Sequence, residues 1–98
     1  MEFKRVNPDC RFTIPDVITV RQQLAFFSAS LVSGSPEYHE QLWNGAQPLI
    51  QEWECPALPD RRIDLGSTSS PDVTKVILWA GAQVRNFLNE KVFSVPKN

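Results

Sequence analysis

SPDVTKVILWAGAQVRNFLNEKVF, residues 70–93, is the longest periodic run in the sequence, and the fold turns on how it is read. Val73, Val76, Ile77, Ala80, Val84, Phe87 and Leu88 recur at the spacing that gathers side chains on one face of an α-helix. Ser70 suits the N-cap, because its hydroxyl can accept a first-turn N–H that has no intrahelical partner. Pro71 suits the first helical position, where a missing N–H costs little. Asp72 then sets negative charge at the positive end of the helix dipole. The stretch predicts a core helix over about 71–91, followed by a frayed tail at 94–98.

Upstream, residues 55–70 hold Pro56, Pro59, Gly66 and a run of hydroxyl residues, which predicts a long connection pinned to the core by Leu58, Ile63 and Leu65. Before it, Ser35-Pro36-Glu37 repeats the cap, proline and acid of the last helix. Tyr38, Leu42, Ala46, Leu49, Ile50 and Trp53 continue as one stripe, predicting a helix over about 36–53. Pro48 lies inside that pattern and crowds the carbonyl of Asn44, so a kink near 44–48, or two short helices, is expected. A first helix over about 19–33 opens on Thr19-Val20-Arg21-Gln22, a capping box, and closes on Gly34. Its stripe reads Val20, Leu24, Phe27 and Leu31, with Phe26 beside it. Residues 1–16 alternate like strand and are divided by Asn7-Pro8-Asp9, a turn signal. They predict an extended or hairpin arm, which must dock on the helices because a lone hairpin is marginal in water. The expectation is a mainly α fold: one domain of three helices with an N-terminal arm.

The chain has 98 residues, a net charge of -1 and a 42% apolar content, which suits a folded domain. Charge is uneven, mildly basic at both ends and acidic in the middle, but no dense basic stripe of the kind that binds nucleic acid occurs. No run approaches the roughly 18 apolar residues of a membrane span, and the first residues do not read as a signal peptide. Free thiols at Cys10 and Cys55 in a reducing cytoplasm are the expectation, with a bridge between them as the alternative.

The sequence offers little to an enzyme. His39 is the one histidine, and no nucleophile shares a motif with it. Ser33-Gly34-Ser35 lacks the glycine pattern of a nucleophile elbow. Cys10, Cys55 and His39 match no zinc spacing, Glu52 and Glu54 do not face one another on a helix, and no phosphate-binding glycine motif occurs. Arg61-Arg62 reads as a solvated pair. No catalytic, cofactor or metal site is therefore assigned, and the chain is not expected to be an enzyme. The apolar surplus says more. Trp43 lies off the stripe of the second helix, and Leu78, Trp79 and Ala82 lie off that of the last, where Gly81 and Ala82 would admit another backbone. Either the small fold buries more than one stripe per helix, or these residues form a patch for a partner or a second copy of the chain. On the second reading Trp43, Leu78, Trp79 and Ala82 are the partner-binding candidates.

Several stretches are familiar together. Thr19-Val20-Arg21-Gln22-Gln23-Leu24 with Phe26 and Phe27, the run from Leu49 to Asp60, the last helix with Val76-Ile77-Leu78-Trp79-Ala80-Gly81, and the ending Val95-Pro96-Lys97-Asn98 resemble a bacteriophage tail assembly chaperone. The resemblance covers most of the chain and rests on packing residues and short loop signatures. It implies a mostly helical protein that coats the tape-measure protein, keeps it soluble and recruits tail-tube subunits. It also implies action in the cytoplasm of the infected bacterium and absence from the mature virion. Such proteins are often made in a second, longer form by ribosomal frameshifting, and Lys97-Asn98 would suit a slippery run of adenines. The alternatives are a structural virion component, such as a head–tail joining or minor tail protein, and a small regulatory DNA-binding domain, against which the near-neutral charge counts.

Overall fold

The structure, a computed structural model, describes residues 1–29 and 37–93. In chain order it contains β1 (Glu2–Arg5), β2 (Cys10–Thr13), α1 (Val20–Ala29), α2 (Tyr38–Ala46), a 3-10 turn (Gln47–Leu49), β3 (Glu52–Glu54), a second 3-10 turn (Leu65–Ser67) and α3 (Pro71–Phe93). The three strands form one antiparallel sheet in the order β1-β2-β3. Among the described residues the fold is thus three helices, as expected, with a three-stranded antiparallel sheet that makes it more mixed than the mainly α domain expected.

The arm is a hairpin. Glu2 pairs with Thr13 and Arg5 with Cys10, and the turn between them has a cis Asn7–Pro8 bond and Asn7 at φ 58°. Asparagine tolerates that left-handed backbone better than most residues, and the Asp9 carboxylate accepts a bond from its N–H at 3.4 Å. Alternation along β2 sends Cys10 and Phe12 inward, with Ile14 following, while Arg11 and Thr13 face out. On the outer face Arg11 donates to both oxygens of Glu54, at 3.0 and 3.2 Å, and to Glu2 at 3.2 Å.

β3 corrects the expected second helix. The break expected near 44–48 is present, but helix does not resume to 53: α2 ends at Ala46, Pro48 sits in the 3-10 turn, and Ile50 turns extended at φ -72°, ψ 123°. The helical spacing of Leu49, Ile50 and Trp53 was coincidental. Proline stops the α-helical ladder, and the chain that follows gains β2 as a partner, with Trp53 opposite Phe12 and Glu54 opposite Arg11. Residues 35 and 36, the expected start of that helix, lie outside the described residues, as do Gly34 and the tail at 94–98.

α3 runs close to expectation and buries Val73, Val76, Ile77, Ala80, Gly81, Val84 and Leu88, with Phe87 half-buried. The Ser70 carbonyl accepts the first helical bond, from the Thr74 N–H at 3.3 Å. α2 packs on it through Leu42, Trp43 and Ala46. Gly81 is what lets them meet: a Cβ there would lie 3.2 Å from the Leu42 Cβ and 3.5 Å from the Trp43 backbone nitrogen. The close backbone approach expected at Gly81 is therefore made inside the chain. Connection 55–70 is pinned as anticipated, with Leu58 buried and Ile63 and Leu65 packed on the core. The indole N–H of Trp53 donates to the Leu58 carbonyl at 2.7 Å and fixes its start.

α1 opens on the expected capping box. Thr19 Oγ1 accepts from the Gln22 N–H at 3.2 Å, and Gln22 Oε1 accepts from the Thr19 N–H at 2.8 Å. Its stripe, however, faces the other way. Phe26 is buried, whereas Val20 and Leu24 are 68% and 63% exposed. The geometry is forced, since two residues span about 200° of helix, so Leu24 points outward once Phe26 points in. Phe27, a further 100° round, lies half-buried at the boundary. Leu31, the last residue of the expected stripe, lies outside the described residues.

Candidate partner-binding surface

The four residues singled out in the sequence do not share one face. Trp43 is 2% exposed, with its ring 5.6 Å from that of Trp53, so it offers no surface to a partner. Trp79 is covered by the hairpin. Phe12 meets its ring edge-on at 5.3 Å, and the Arg5 guanidinium lies over it at 5.9 Å while donating to the Lys75 carbonyl at 3.1 Å. Ala82 is half-buried. Leu78 alone is largely open, at 41%, beside a hollow of about 200 Å³ that Leu65, Val73 and Ile77 also line. The surplus on these two helices is thus mostly absorbed by the third strand and the docked hairpin, the first of the two readings.

The exposed apolar surface is elsewhere. Val20 and Leu24 are four residues apart on α1, and Phe27 follows three later, which sets the three along one side of the helix. The Phe27 ring meets that of Phe93 at 5.3 Å, and Phe93, at the end of α3, is 66% exposed. Val92 is open beside it, and Val17 is open just before α1. Besides that ring contact, one hydrogen bond joins these elements: Lys91 donates to the Asp16 carbonyl at 3.0 Å, tying the end of α3 to the segment that leads into α1. Within α1, the buried Phe26 ring meets that of Phe27 edge-on at 5.4 Å. The result is an apolar row, Val20–Leu24–Phe27–Phe93, crossing from one helix to another, with Arg21 and Lys91 exposed nearby. The signal for it was present in the sequence as the α1 stripe, but a stripe does not say which way it faces.

Elsewhere, several polar side chains of the described residues are paired within the chain. His39 is exposed and stacks on Tyr38 at 5.3 Å, and the Tyr38 hydroxyl accepts from Arg85 at 3.0 Å. Arg61 is turned back onto Gln47, donating to its carbonyl at 3.2 Å and its side-chain oxygen at 2.6 Å. Burial pushes the Arg61 guanidinium below its ordinary range, with the charge of Arg62 adding to the effect. Among the described residues, no group of three His, Cys, Asp or Glu side chains could hold a metal ion, and no helix is long and apolar enough to cross a membrane.

Comparisons with family models, with curated proteins and with solved structures found no match to this chain.

Proposed function

We propose that this protein works by binding rather than by catalysis, as a phage tail assembly chaperone. In this reading the surface of α1 and the end of α3 holds an apolar helical stretch of the tape-measure protein. The observation that carries it is the apolar row Val20–Leu24–Phe27–Phe93: Val20, Leu24 and Phe27 follow helical spacing on α1, and Val20, Leu24 and Phe93 are open while Phe27 is half-buried. An amphipathic helix presents its own apolar residues at i, i+3, i+4 and i+7, and such a row is what they pack against. An exposed apolar row on a small protein also needs cover, because its exposure to water is unfavourable at about 25 cal/mol per Å². In this reading the partner is taken from the sequence resemblance, and the exposed row supports a surface for it. Recruitment of tail-tube subunits would use a second face, and the action would take place in the host cytoplasm before the virion is complete.

The test is co-expression with the tape-measure protein of the same genome. The expected result is a soluble complex that co-purifies, an insoluble tape measure when this protein is left out, and purified particles that lack it. A tape measure that is soluble alone contradicts the reading. Stoichiometric recovery from particles would instead favour a structural virion component.

A further inference from the structure

The two cysteines are far apart in sequence, yet the sheet brings them face to face. The pairing of β2 with β3 runs Thr13–Glu52, Phe12–Trp53, Arg11–Glu54, and one further step of the same register sets Cys10 opposite Cys55. Cross-strand partners point to the same side of a sheet, and both side chains are buried, at 3% and 5% exposure. Each is a free thiol, and Cys55 is close enough to Cys10 to raise the pKa of its thiol. Directly opposed residues of an antiparallel pair have Cα atoms about 4.5 or 5.5 Å apart, and both spacings fall within the range a disulfide spans. Arg5 pairs with Cys10 on the other side, so the row reads Arg5 on β1, Cys10 on β2 and Cys55 just past the end of β3. The Nε of Arg5 is buried without a hydrogen-bond partner. A cleft of about 640 Å³ opens onto this row, lined by Lys4, Arg5, Cys10, Trp53 and Cys55 among others.

We propose that Cys10 and Cys55 are a redox modification site: a cross-strand dithiol that a low-molecular-weight disulfide entering the cleft converts to an internal disulfide. With glutathione disulfide, one cysteine thiolate attacks a glutathione sulfur, forming a mixed disulfide and releasing one glutathione thiolate. The second cysteine then attacks the protein sulfur of that mixed bond and releases the other glutathione. The protein loses two electrons and two protons, the oxidant gains both, and two glutathione thiols result. Reaction is slow at neutral pH, because burial, and then the neighbouring Cys55, hold the Cys10 thiol well above its ordinary range. The Arg5 charge acts in the opposite direction, favouring the thiolate the exchange requires. The bond would close a loop containing both α1 and α2; neither cysteine belongs to the apolar row, so the proposal does not rest on the proposed partner.

The experiment incubates the folded protein with glutathione disulfide over a rising pH series, quenches with acid, and measures intact mass and non-reduced peptides. The expected product has lost the mass of two hydrogens, links Cys10 to Cys55, forms faster as pH rises, and returns to the dithiol with a reductant. Cys10→Ser and Cys55→Ser should each give only the glutathione adduct. The oxidised wild type should melt roughly 10 °C or more above the reduced form. A wild type that keeps two free thiols, accumulates the glutathione adduct or links two chains overturns the proposal. So does a melting temperature that fails to rise, since the bond would then form only by distorting the sheet.

Discussion

Trp79 on α3 and Leu24 on α1 are both large apolar side chains on amphipathic helices, and they meet opposite fates. Trp79 lies off the main stripe of its helix, yet the β1–β2 hairpin folds over it, with Phe12 against the ring and Arg5 above it. Leu24 lies on what reads as the main stripe of its helix, yet it is 63% exposed. Apolar periodicity shows that a helix has a face to bury. It does not show whether this chain or another molecule does the burying.

That contrast can be tested by removing its parts in turn. The largest effect is expected at Trp43, which belongs to the covered region. Trp43→Ala should destabilise the protein by about 3–5 kcal/mol, because it empties space between α2, α3 and β3, and chemical denaturation would measure it. A stable Trp43→Ala variant would mean that the indole does not fill the core. Gly81→Val comes next, at about 1–3 kcal/mol, since the added atoms begin 3.2 Å from Leu42 on the facing helix. A melting temperature unaffected by that change would show that α2 and α3 are not in close contact. Thr19→Ala should cost about 1 kcal/mol by leaving first-turn N–H groups of α1 without an acceptor. Thr19→Asp should restore most of that loss, and thermal melts of the pair give the comparison. The smallest effect on stability belongs to the open region. Val20→Gln with Leu24→Gln should shift stability by no more than about 0.5 kcal/mol per site, because both side chains already face water and glutamine is a good helix former.

The legible and illegible parts of the fold divide along the same line. Local chemistry was readable: the Thr19–Gln22 capping box, the hairpin about Asn7-Pro8-Asp9, the extent of α3 and the pinning of Leu58 each depend on residues close in sequence. β3 was not readable, because Trp53 continues a helical spacing and its partner, Phe12, lies far away in the chain. The burial of Trp43 follows from the same missing strand, whose Trp53 ring closes over it. The direction of α1 was equally hidden. Val20, Leu24 and Phe27 make a better stripe than Phe26 alone, and only the position of α2 shows that Phe26 is the anchor. The Cys10–Cys55 pairing also rests on the β2–β3 register, so that strand carries most of what the structure adds.

In the proposed function the outward stripe of α1 is the working surface. The most direct measurement is capture of the co-expressed tape-measure protein by the Val20→Gln, Leu24→Gln double variant, alongside its thermal melt. The expected result is a melting temperature close to wild type and a lost complex, with the tape measure returning to the insoluble fraction. A variant that still holds the tape measure in solution as well as wild type does would contradict it.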